Sequence, residues 1–222
     1  VLEQLVKKYS SGRFGTAGAV AAGVAAIVLG IFLFQQIQLW SLRSQWEDRL
    51  GLPRMQLTRL VFESDASRRA SLGRATDDDV WQSVADALKL DPPTRDQLRR
   101  DYFARDQIDA TLMEFIRGLR RHVRVGMITN AWPDIRRYLV SEFKIADAFD
   151  PLIVSAEVGI AKPDPRIYQL ALEQLGIEPA QAVFVDDFED NVAGARWVGM
   201  QAVHFTSTPQ AIAALRAMLR GP

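Results

Sequence analysis

The chain has 222 residues, of which 48% are apolar and 24% charged, the proportions of an ordinary globular protein. These figures exclude a disordered chain, a collagen and a polytopic membrane protein. The 27 basic and 27 acidic side chains give a formal net charge of zero, which leaves no footprint for nucleic acid, and the absence of cysteine excludes disulfides, thiolate metal sites and cysteine nucleophiles.

Charge is unevenly placed. Residues 1–46 hold Lys7, Lys8, Arg13 and Arg43 against Glu3 alone, a net of +3, so residues 47–222 carry −3. Between Arg13 and Arg43 stand 29 residues without a charge, centred on AGAVAAGVAAIVLGIFLF from Ala17 to Phe34. About 20 mostly apolar residues suffice to cross a bilayer. Residues 16–36 are therefore long enough for a membrane anchor, with Ala19, Gly23, Ala26 and Gly30 on one small-residue face. A buried strand or core helix, a processing signal, and an incorrect or frameshifted start are the competing readings of residues 1–40. Flanking charge does not set an orientation, because Lys7, Lys8 and Arg13 face Arg43, Arg49 and Arg54 across the segment.

From Trp40 the pattern turns helical. Trp46, Leu50 and Leu52, then Leu57, Leu60, Val61 and Phe62, recur at helical spacing. Thr76 before Asp77, Asp78 and Asp79 reads as a helix cap with acids in the first turn. Asp91-Pro92-Pro93-Thr94 ends one helix and opens another, which closes near Arg105, and Ala110–Arg121 forms the next. Residues 41–120 are thus predicted as a compact helical bundle. Leu60 to Ser67 imitates a strand ending in paired acids, Glu63 and Asp65, yet it sits inside the helical pattern and Arg68 and Arg69 follow.

After Arg121 the period switches. Short apolar strands at 123–129, 152–155, 182–186 and 202–205 alternate with helices at 133–143, 165–175, 191–198 and 209–219. This alternation predicts parallel βα units in a doubly wound sheet, where chemistry collects at the carboxyl ends of the strands. Thr129-Asn130 ends the first of these strands, Lys162-Pro163-Asp164-Pro165 follows the second, and Asp186-Asp187 ends the third. A hydroxyl, an ammonium and a carboxylate pair converging on one crevice suit a phosphate bound with magnesium.

MITNAWPD, SAEVGIAKPDPRIY and VFVDDFEDNVAGARWVGM, in that order and spacing, resemble the haloacid dehalogenase-like (HAD) hydrolase superfamily over residues 41–222. The resemblance implies an α/β fold, a doubly wound parallel sheet forming a HAD-like Rossmannoid core at 121–222, with a helical-bundle cap at 41–120 and the apolar segment at 1–40. It further implies that the Thr129 hydroxyl bonds the phosphoryl group, that Asn130 shapes the same loop, that Lys162 neutralises charge, and that Asp186 and Asp187 hold Mg2+. The consecutive acids resemble the phosphatase branch rather than the metal-independent dehalogenases.

Read without the resemblance, several of these residues have ordinary roles. Asp164 starts the helix after Lys162, Asp190 answers a helix dipole, and Asn191 bonds backbone. His204 belongs to an apolar strand and His122 is incidental.

One feature of the family is missing. Its chemistry starts from an Asp nucleophile ending the first core strand, with a second Asp two residues on as general acid and base. Here no carboxylate stands between Glu3 and Glu47, and AAIVLGIF at 25–32 resembles the strand with Leu29 or Gly30 in the nucleophile's place. The expected function is a Mg2+-dependent hydrolase of a small phosphate ester, impaired by that loss, its core domain cytoplasmic and anchored through residues 16–36. The alternative is a non-catalytic module that binds phosphate and magnesium while tethered to a membrane.

Overall fold

The computed structural model describes residues 24–30, 40–104 and 106–220. Its centre is built from the apolar segment. Strand β1 (Ala26–Leu29) runs between and parallel to β2 (Arg124–Thr129) and β4 (Ala182–Asp186). Beyond these lie β3 (Leu152–Val154) and β5 (Gln201–His204), giving the order β3-β2-β1-β4-β5.

Alternate residues of a strand point to opposite faces. Ile27 and Leu29 enter one apolar cluster with Val125, Met127, Val183 and Val185, while Ala26 and Val28 enter the other with Ile128, Phe184 and Ile167. A strand covered on both faces needs an uninterrupted apolar run, which this segment supplies. The described part of the expected membrane anchor is therefore a buried strand. Among the described residues no helix is long and apolar enough to cross a membrane. The remainder of that anchor, 16–23 and 31–36, lies outside the described residues.

Helices α1 (Trp40–Leu50), α2 (Gln56–Phe62), α3 (Asp65–Ala70), α4 (Asp77–Leu88) and α5 (Pro92–Phe103) pack around Trp46, Leu57, Val61, Trp81, Leu98 and Tyr102. Their starts follow from side chains. The Thr76 hydroxyl accepts from Asp79 N at 3.1 Å while the Asp79 carboxylate accepts from Thr76 N at 2.8 Å, a closed capping box. Asp91 accepts from Thr94 N at 2.9 Å ahead of Pro92. The strand-like Leu60–Ser67 forms no strand: it holds the end of α2, a bend at Glu63 and Ser64, and the Ser64-capped start of α3.

Helix α6 (Ala110–Leu119), grouped by its sequence pattern with the bundle, instead packs Leu112, Met113, Ile116 and Leu119 into the sheet cluster that contains Ile27. The helix expected at 133–143 is a single α turn at Ile135–Arg137 continued by a π turn at Tyr138–Glu142. Leu139 in that turn and Ile145 beyond it enter the same cluster. Helices α7 (Pro165–Leu175), α8 (Glu189–Trp197) and α9 (Thr208–Arg220) complete the βα units.

Arg43 near the start of α1 reaches Asp106 in the connection from α5 to α6, with its Nη2 at 3.2 Å from Oδ1. Burial pushes the Asp106 carboxyl up to about 6, and the Arg43 charge only partly opposes this. In the unfolded chain an aspartate titrates near 3.9, so between about pH 4 and 6 the folded state binds more protons and stability falls as pH rises. Measured by urea unfolding across pH 7 to 4.5, wild type should gain stability relative to Asp106→Asn as pH falls; a difference that stays flat contradicts this.

Candidate active site

The strand ends at the carboxyl edge of the sheet bring the expected residues together. Asp186, the last residue of β4, is fully buried, and its side chain is held on every side. Its Oδ1 accepts from Phe188 N at 2.8 Å and from Asn191 Nδ2 at 2.9 Å, and its Oδ2 accepts from Lys162 Nζ at 2.6 Å. Lys162, also buried, donates in addition to the Gly30 carbonyl at 2.6 Å and lies 5.6 Å from the centre of the Phe184 ring. Burial pushes the ammonium below its ordinary range, and the Asp186 carboxylate opposes that shift.

The loop that carries Lys162 is fixed from three directions. Asn130 Nδ2 donates to the Lys162 carbonyl and Asn130 Oδ1 accepts from Lys162 N, both at 2.8 Å. Asp164 caps α7 by accepting from Arg166 N at 3.0 Å, with Pro165 opening the helix. Helix α8 closes on the loop through Gly194, where a Cβ would stand 2.8 Å from the Pro163 carbonyl oxygen. The KPDP and NVAGA runs are therefore two sides of one contact. Tyr168 fastens it by donating to the Asn191 carbonyl at 2.8 Å.

Thr129 is half-buried at the end of β2, level with Val154. Asp187 is half-buried beside Asp186. Burial pushes its carboxyl up, and the Asp186 charge adds to the effect. Its carbonyl lies 3.1 Å from His204 Nε2.

Leu29 is inside the strand, buried and paired with Met127 and Val185, so Gly30 is the residue at the edge. A Cβ at Gly30 would lie 2.1 Å from Asp186 Oδ2 and 2.7 Å from Lys162 Nζ. Asp186, the Phe184 ring and Lys162 occupy the space a side chain would need.

This bears on the magnesium expected at Asp186 and Asp187. Mg2+ demands octahedral oxygen ligation, commonly from one or two carboxylates with water and phosphate. Asp186 already accepts three hydrogen bonds, one of them from an ammonium, and among the described residues no group of three His, Asp or Glu is placed to hold a metal. As arranged, the donor set does not fit the ion.

Other expectations need correction. Asn191 bonds the Asp186 carboxylate rather than backbone. His204 is exposed, because β5 is an edge strand, instead of sitting in the core. Asp190 is an exposed first-turn acid of α8, as read. Trp132, two residues beyond Asn130, was not singled out by the sequence. Its Nε1 donates to Ser67 Oγ at 3.0 Å and its ring lies 5.6 Å from Phe62, so it plugs the Asn130 loop into the cap. An aromatic directly after a strand-end loop was the available signal.

Removing one partner of a buried ion pair typically costs about 3–5 kcal/mol, because the other charge is left uncompensated. Lys162→Met should lose stability on that scale in urea unfolding. The double variant Lys162→Met, Asp186→Asn should lose less than the sum of the two single variants, and additive losses would contradict the pairing.

Residues 15–199 match the haloacid dehalogenase-like hydrolase family. Phosphoserine phosphatase of Thermus thermophilus is 37% identical over 106 residues, which cover 47% of this chain and 41% of that protein. Phosphatase MT3486 of Mycobacterium tuberculosis is 40% identical over 125 residues, covering 54% of this chain and 57% of that protein. The chain thus spans about half the length of these curated relatives. A HAD family enzyme of Bacteroides thetaiotaomicron, solved with magnesium and inorganic phosphate, superposes with a TM-score of 0.65 at 16% identity, covering 82% of this chain and 93% of that one. The family match over most of the chain agrees with the parallel sheet and with the resemblance read from the motifs, and the chain belongs to the haloacid dehalogenase-like hydrolases.

Proposed function

We propose that this chain is a phosphatase-type HAD-like protein whose ligand is a small phosphorylated compound and whose aspartyl-phosphate route is closed. The phosphatase names of its relatives and the grouping of Thr129, Asn130, Lys162 and Asp186 at one sheet edge support the ligand class. In this reading the Thr129 hydroxyl bonds a phosphoryl oxygen, and Asn130 is a positioning residue that holds the Lys162 loop.

The observation that carries the closed route is Gly30. Covalent phosphoryl transfer to the protein needs a carboxylate oxygen in line with phosphorus. Position 30 offers none, no carboxylate stands between Glu3 and Glu47, and the space above Gly30 holds the Lys162–Asp186 pair. Because the donor set does not fit Mg2+, no step is assigned to that ion.

The test is hydrolysis of a generic aryl phosphate by the full chain, with Mg2+ and with chelator, against Asp186→Asn, each sample checked for folding by circular dichroism. The expected wild-type rate equals that of Asp186→Asn. Hydrolysis by wild type that Asp186→Asn abolishes would overturn the reading and require a nucleophile elsewhere.

A further inference from the structure

We infer that Lys162 is the resident cation of this site: its ammonium takes the place of a divalent metal on Asp186, and the wild-type site binds no Mg2+. The argument rests on lone pairs and space. A carboxylate offers about four acceptor directions, and Asp186 spends three of them on Phe188 N, Asn191 Nδ2 and Lys162 Nζ. A dication seated on Oδ2 would share that oxygen with an ammonium already 2.6 Å away. Two cations on one buried oxygen repel strongly where the dielectric is low.

With the lysine in place, its ammonium stands where a metal on Asp186 Oδ2 would stand. Gly30 contributes no side chain, and a Cβ there would meet Asp186 and Lys162 well inside contact distance. The positive charge that a metal would bring is already present. Lys162 satisfies Asp186 and the Gly30 carbonyl together, so it ties β1, β4 and the β3–α7 loop at one point.

Removal of the lysine should reverse this. Lys162→Ala leaves the Asp186 carboxylate buried without a counter-charge, opens space beside it, and makes a divalent cation the available replacement. The inference shares with the functional reading the glycine at position 30 and the Lys162–Asp186 pair, and its test reads binding rather than turnover.

The experiment is calorimetric titration of Mg2+ into the full chain, with thermal unfolding in millimolar Mg2+ and in chelator. Wild type should give no saturable heat and no shift in Tm. Lys162→Ala should unfold at lower temperature in chelator and regain Tm with Mg2+. Saturable Mg2+ binding by wild type, lost in Asp186→Asn, overturns the inference, as does a folded Lys162→Ala that ignores Mg2+. The wild-type titration decides the matter even where Lys162→Ala does not fold. Binding of Mg2+ without hydrolysis would sink this inference and leave the functional reading standing; hydrolysis without Mg2+ binding would do the reverse.

Discussion

A parallel sheet covered by helices on both faces tolerates no gap at its centre, and β1 fills that centre here. Four residues, Ala26 to Leu29, pair with β2 on one side and β4 on the other. Each fully buried aliphatic side chain in such a strand contributes about 1.5–3 kcal/mol of transfer free energy. A slip of one residue would exchange Ile27 and Leu29 with Ala26 and Val28 between two differently shaped clusters, so the register is fixed by packing. That register then decides the chemistry. The Gly30 amide donates to the Val185 carbonyl at 2.7 Å, which sets position 30 directly beside Asp186.

At the sheet edge Gly30 meets Lys162 and Asp186. With no side chain at position 30, the ammonium of Lys162 approaches both the Gly30 carbonyl and Asp186, and the two charges neutralise each other inside the fold. Around them stand the Asn130 bridge, the Asp164 cap, the Gly194 approach and the Trp132 plug. Among the described residues only β4 ends in a carboxylate, Asp186.

Much of this was legible in the sequence because its physical signals are local. Apolar runs alternating with helical periods marked β2 to β5, and Thr76 and Asp91 announced their helices by the hydrogen bonds they make. Strand β1 was ambiguous for a physical reason: a strand buried on both faces and a membrane span are both uninterrupted apolar runs. Helix α6 was grouped with the bundle because an amphipathic helix does not record which surface it covers. His204 looked like a core residue because an edge strand can carry the same apolar letters as a central one. The site residues could be picked by motif, but the saturation of Asp186 by Asn191, Phe188 and Lys162 exists only in three dimensions.

The placement of β1 is the claim on which the rest turns, and backbone amide exchange tests it most directly. Amides of a central strand exchange only when the whole domain unfolds. Hydrogen–deuterium exchange on peptides covering residues 26–29 should therefore show protection equal to that of β2 and β4. Rapid exchange at 26–29 while β2 and β4 stay protected would remove the strand from the sheet, and with it the account of Gly30, Lys162 and Asp186.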